Sequence, residues 1–135
     1  MRVALAAIAL LLTPAAAHAG ITGFQTPSGN IFCAYISFED GRDLRCDISR
    51  TTNTPPPKPR SCEHDWGFSF GMTARGKARR LCVSDTPMDP SFKKLAYGKT
   101  WTRGPFTCRS RTANLRCTNA RGHGYTLSRS KQTLF

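Results

Sequence analysis

The amino-acid sequence predicts an all-β fold: a small disulfide-stapled barrel or sandwich of short antiparallel hairpins. Three observations lead there. Six cysteines sit where short hairpins can pair them, apolar and polar residues alternate in brief runs between Gly- and Pro-containing turns, and no segment carries a convincing 3.6-residue apolar period.

Of the 135 residues, 1–19 read as a leader outside that fold. Arg2 precedes an apolar run from Val3 to Leu12, and Ala17-His18-Ala19 offers an A-x-A exit, the pattern of a cleavable secretory signal. The run is too short to cross a bilayer comfortably and no second one follows, so no membrane span is expected. Residues 20–135 then form one domain of 116 residues carrying 19 basic and 8 acidic groups, a net +11. Its hydrophobic content is about 33%, against 39% for the whole chain. These figures exclude a cytosolic enzyme and a multidomain chain, and they predict a periplasmic or extracellular protein, monomeric by default.

Gly20–Gln25 is expected as a short lead-in strand, and Thr26-Pro27-Ser28-Gly29 as a turn. A hairpin then spans Asn30–Ser49, turning at Glu39-Asp40-Gly41. Opposing Cys33 to Cys46 places Ile31, Cys33 and Tyr35 against Ile48, Cys46 and Leu44 on one wholly apolar face. A slip of one residue destroys that match, so the register is well specified. Residues 50–60 include Pro55-Pro56-Pro57-Lys58-Pro59, an extended connector that can be neither helix nor central strand.

Beyond it, Trp66, Phe68, Phe70 and Met72 alternate with small residues and predict a strand with one aromatic face, returned by Lys77–Asp85. Thr86–Lys94, with Pro87 and Pro90, is expected as a loop with room for one helical turn at Pro90–Lys93. Extended chain resumes at Leu95–Trp101. Pairing Cys108 with Cys117 around Arg111–Asn114 gathers Phe106, Cys108, Leu115 and Cys117 on one face, with Thr107, Arg109, Arg116 and Thr118 on the other. Both hairpins end in Leu-Arg-Cys, a brief internal echo. Arg121–Gly124 is a turn, and Tyr125–Arg129 alternates again with Tyr125 and Leu127 on one side. Seven or eight strands result. Cys62 pairs with Cys82 by elimination, although the turn at Thr73–Lys77 sets Cys82 nearer Phe68. The cysteine separations of 12, 15, 19, 25 and 8 intervening residues contain no C-x-x-C, so disulfides are expected and metal is not.

Several of these segments resemble a family of small exported bacterial proteins classed as a domain of unknown function. The resemblance rests on F-x-x-P-S-G-N-I-x-C at Phe24–Cys33, L-R-C-D-I at Leu44–Ile48 and C-x-x-D-W-G at Cys62–Gly67. It continues through C-V-S-D-T at Cys82–Thr86, L-x-Y-G-x-x-W at Leu95–Trp101 and G-H-G-Y-x-L-S-R at Gly122–Arg129. It implies export, a compact single domain and paired cysteines. It brings no activity, so no role is carried onto any position.

Chemistry must therefore be sought in the residues themselves. His64 and His123, with Glu63 and Asp65, are the acid–base candidates near neutral pH, and a small cationic nuclease can use two histidines with an arginine on the phosphate. His123 lies between glycines, which suits a tight turn equally well. No nucleophile elbow, phosphate loop or dinucleotide fingerprint is present, and no cofactor is implied. Trp66 and Trp101 suit the core better than ligand stacking.

Charge is the remaining signal. Residues 20–60 carry a net +1, residues 61–100 a net +3, and residues 101–135 seven basic groups with no acid. Those seven are Arg103, Arg109, Arg111, Arg116, Arg121, Arg129 and Lys131. A face of one sign attracts phosphate, sulfate or carboxylate polymers, and arginine suits bidentate contact with them; such a face also serves solubility alone. The sequence thus predicts a non-catalytic binding module for an anionic envelope polymer or an acidic protein, with a secreted nuclease using His64 and His123 as the alternative.

Overall fold

The computed structural model describes residues 20–135; the leader expected at 1–19 lies outside the described residues. The strands are β1 (Gly20–Gln25), β2 (Ile31–Ser37), β3 (Arg42–Ile48), β4 (Ser69–Thr73), β5 (Arg79–Arg80), β6 (Lys93–Lys94), β7 (Thr100–Arg103), β8 (Phe106–Ser110), β9 (Leu115–Thr118), β10 (Gly124–Leu127) and β11 (Gln132–Leu134). They form two open sheets, ordered β5-β4-β3-β2-β1-β6 and β11-β10-β9-β8-β7. The fold is all-β and sandwich-like, so the barrel alternative falls away. Eleven described strands replace the seven or eight expected, because several irregular stretches each contribute a short ladder.

Both cysteine-anchored registers are as the side-chain pattern requires. Ile31, Cys33 and Tyr35 oppose Ile48, Cys46 and Leu44, and Cys108 opposes Cys117. Alternation in β8 and β9 buries Phe106, Cys108, Leu115 and Cys117 while exposing Thr107, Arg109 and Arg116. All three disulfides are formed: Cys33–Cys46, Cys62–Cys82 and Cys108–Cys117. The apolar faces of the two sheets share one core. There the two hairpin disulfides meet, with the sulfurs of Cys33, Cys46 and Cys117 within 4.8 Å of one another. Bound as disulfides, these sulfurs offer no thiolate to a metal. Phe24 packs on Trp101 at 5.0 Å between ring centres, Tyr35 on Phe106 at 6.1 Å and Phe70 on Tyr125 at 6.2 Å.

Four segments depart from expectation. The aromatic strand begins only at Ser69: Phe70 and Met72 are buried opposite Cys46 and Leu44, but Phe68 is 43% exposed. Gly67 breaks the alternation with φ of +112°, a conformation that disfavours side chains, and Trp66 turns away to donate its indole N–H to the Pro56 carbonyl at 3.0 Å. The proline connector is therefore a packing partner for the strand that follows it. The return strand shrinks to Arg79–Arg80, after which residues 82–86 leave the ladder for the outer side of the first sheet. In place of a helical turn at Pro90–Lys93, Asp89–Phe92 makes a β-turn, with the Phe92 N–H donating to the Asp89 carbonyl at 3.0 Å. Lys93–Lys94 then adds a parallel strand beside β1. Gln25 holds it, its amide N–H groups donating to the carbonyls of Phe92 and Pro90 at 2.7 and 3.1 Å. The extended run expected at Leu95–Trp101 starts later, at Thr100.

Candidate functional site

The outer face of the second sheet is built by strand alternation. A row of directly opposed residues crosses all five strands: Thr100, Arg109, Arg116, Thr126 and Thr133. Beside it run Thr102, Thr107, Thr118 and Gly124, the last hydrogen-bonded to Phe135. Threonine favours such positions because its branched side chain fits the pleat and its hydroxyl tolerates water. Arginine in the middle of the row is harder to explain. Like charges directly opposite on adjacent strands destabilise a ladder, and Arg109 faces Arg116. Cys108 and Cys117 occupy a close pair with Cα atoms 4.1 Å apart, so the next pair outward, Arg109 and Arg116, is the hydrogen-bonded type with Cα atoms about 5.5 Å apart. Arg116 is partly committed: its guanidinium lies 4.3 Å over the Phe135 ring and donates to Thr126 Oγ1 at 3.4 Å. The Arg109 side chain has no such partner among the described residues. No acidic residue occurs anywhere in 101–135.

The other five basic groups are dispersed. Arg103, at the β7–β8 turn, lies 5.6 Å over the Tyr35 ring. Arg121 sits in the β9–β10 turn. Arg111 and Arg129 line a cavity of about 330 Å³ at one end of the sandwich, and Lys131 closes the adjacent β10–β11 turn. Charge alone could not forecast this division, which follows from turns pointing to opposite ends of the sheet.

The two histidines are set apart as well. His123 is half-buried in the β9–β10 turn, whose backbone wraps the buried Asn119: the His123 N–H donates to Asn119 Oδ1 at 3.1 Å, and the Asn119 N–H to the His123 carbonyl at 2.8 Å. Asn119 in turn donates to the carbonyls of Thr73 and Gly76 at 3.0 and 2.8 Å, tying this turn to the first sheet. His64 is exposed in the loop after Cys62, near enough to Asp85 to help lower that carboxyl's pKa. Neither histidine lines the end cavity or the two further cavities, which lie against the outer side of β3 and β4.

Sequence reasoning missed one polar cluster. On the outer side of the first sheet, Arg45 makes a bidentate pair with Asp47 at 2.9 and 3.0 Å and reaches Asp85 at 3.0 Å. Thr86 donates to Asp47 at 2.9 Å. Burial lowers the Arg45 pKa, but its hydrogen bonds and charge pairing with Asp47 and Asp85 outweigh that and raise it overall. The Arg45 hydrogen bond, then its charge, holds the Asp85 carboxyl below its ordinary value. The cluster fastens residues 82–86 over the sheet and joins L-R-C-D-I to C-V-S-D-T. No local pattern announces it, because the partners are 39 and 40 residues apart.

A family model matches residues 4–135. The chain belongs to the family of unknown function DUF6636. Neither the curated proteins nor the solved structures contain a match to it. DUF6636 membership assigns no chemistry to the chain. Within this DUF6636 chain the three disulfides fit an exported protein, and no helix among the described residues is long and apolar enough to cross a membrane.

Proposed function

We propose that this is an exported, non-catalytic binding module whose arginine–threonine sheet face takes an extended anionic partner, a phosphate-, sulfate- or carboxylate-bearing polymer of the cell envelope or an acidic protein. Residues 1–19 act in this reading as a cleavable export signal, tested by the amino-terminal sequence of the secreted product. One observation carries the binding reading: Arg109 and Arg116 oppose each other across a ladder whose strands contain no acidic residue, an arrangement that an anion lying along the row relieves. The flanking threonines add hydroxyl donors at the spacing of the strands. A flat row suits an extended ligand better than a compact one.

The hydrolase alternative needs His64 and His123 over one phosphate. Their separate settings, one in a disulfide loop and one wrapped around Asn119, supply no observation in its favour. The test is retention on immobilised heparin and on a phosphopolymer. The native protein elutes above physiological salt, and Arg109→Gln with Arg116→Gln elutes distinctly earlier. Unchanged elution of the double variant rejects the face as the binding surface.

A further inference from the structure

The end cavity is a separate feature. Four chain segments far apart in sequence form its walls: the turn after β1, the stretch before β7, the β8–β9 turn and the β10–β11 turn. Three of those walls are fixed by turn hydrogen bonds, from the Gly29 N–H to the Thr26 carbonyl, Arg111 to Asn114, and Ser128 to Lys131, each at 2.9 Å. Ser128 Oγ also accepts from the Lys131 N–H at 3.1 Å, and Gln132 donates to the Ser128 carbonyl at 2.8 Å. The walls are therefore held before any ligand arrives, which lowers the ordering cost of binding.

The lining has a definite chemistry. Arg111 and Arg129 both line the cavity, and their guanidinium groups enter no hydrogen bond, ion pair or ring contact among the described residues. No acidic side chain lines it. Ser28, Thr112 and Ser130 bring hydroxyls, and Tyr97, 47% exposed, brings an aromatic face. Two unpaired guanidinium forks call for a carboxylate or phosphate. Neutral hydroxyls and a half-exposed ring suit the hydroxyls and apolar face of a sugar. At about 330 Å³ the space stands at the small end of the roughly 300–1,000 Å³ of ligand pockets, too small for a folded partner.

We infer that this cavity is a binding site for a sugar bearing an anionic group, a uronate or a sugar phosphate. The arginines hold the anion and Tyr97 lies against the ring. This site uses Arg111 and Arg129, whereas the sheet face uses Arg109 and Arg116, so either can fail without the other.

The test is calorimetric titration of the intact exported protein with digalacturonate, glucose 6-phosphate, galactobiose and inorganic phosphate. At least one of the two anionic sugars saturates, and galactobiose and inorganic phosphate bind at least about tenfold more weakly. Arg111→Gln and Arg129→Gln each reduce affinity for that sugar about tenfold, equivalent to one charge-assisted hydrogen bond. Tyr97→Ala also weakens it, while Arg109→Gln does not. Thermal unfolding of each variant confirms that it is folded. Absence of saturation by both anionic sugars to about 10 mM overturns the proposal. So does phosphate binding as tight as that of the sugars and indifferent to Tyr97→Ala, which makes the cavity a plain anion site. Failure of the native protein to be retained on heparin, or unchanged elution of the Arg109→Gln, Arg116→Gln double variant, with sugar binding intact, condemns the sheet-face reading alone.

Discussion

Arg109→Gln removes one of two like charges held opposite each other on the outer face of the second sheet, and it should move stability and binding in opposite directions. For two unit charges about 6 Å apart in water, Coulomb repulsion is about 0.7 kcal/mol, an upper figure for this pair because the Arg116 guanidinium is drawn toward Thr126 on β10 and the Phe135 ring. A screening length of about 8 Å at physiological salt roughly halves it. The variant should therefore gain about 0.3 kcal/mol at 150 mM salt and about 0.6 kcal/mol at 10–20 mM, a rise in Tm of about 1–3 °C. Loss of one cationic contact should reduce the slope of log affinity against log salt for an anionic polymer by about 0.7–0.9. Urea unfolding at the two salt concentrations measures the first quantity, and polymer titration across a salt series the second. A variant that is less stable than the native protein and binds with an unaltered salt slope refutes the reasoning, because Arg109 would then be a structural residue.

Other parts of the fold give sharper stability effects. Arg45→Met strands the carboxylate of Asp47, whose side chain is 5% exposed, and should cost about 3 kcal/mol in urea unfolding; Arg45→Lys should recover little, having no bidentate fork. Burial, reinforced by the Asp47 charge, pushes the Tyr125 phenol well above its ordinary value, so the folded state keeps it neutral where the unfolded chain ionises. Its contribution is complete below about pH 10 and declines as pH rises toward the folded value, an alkaline loss that Tyr125→Phe should blunt in pH-dependent thermal unfolding. Replacing Cys62 and Cys82 together by serine should cost about 3 kcal/mol through the entropy of a loop with sequence separation 20. Replacing Cys108 and Cys117 by alanine should cost more despite a separation of only 9, since both are fully buried and leave a cavity.

The legible parts of the fold were those with two local constraints acting together. In the hairpins containing Cys33–Cys46 and Cys108–Cys117, a covalent anchor and a period-two apolar pattern select the same register, so pairing and burial follow from a dozen residues each. Trp66–Met72 offered the period without the anchor. Gly67 and the contact of Trp66 with Pro56 then cut the strand short. The parallel β1–β6 pair and the Arg45–Asp47–Asp85 cluster depend on partners about 40 to 70 residues distant, where a single sequence gives no periodic signal.

The site divides in the same way. Alternation around Cys108 and Cys117 put Arg109 and Arg116 on one face, whereas composition grouped them with Arg103, Arg111, Arg121, Arg129 and Lys131, which the turns send elsewhere. This distribution bears on whether the positive charge is merely a solvated surface. On the first sheet, acids are set against bases: Asp47 and Asp85 both hold Arg45. On the second sheet no acid is present, and two arginines oppose each other in a ladder where threonine fills most neighbouring positions. Solubility needs like charges to be present but has no need for them to be opposed, since dispersed lysines serve as well at lower repulsion. In the proposed reading, an anion shared between Arg109 and Arg116 offsets the repulsion that remains after Arg116 has turned toward Thr126 and Phe135.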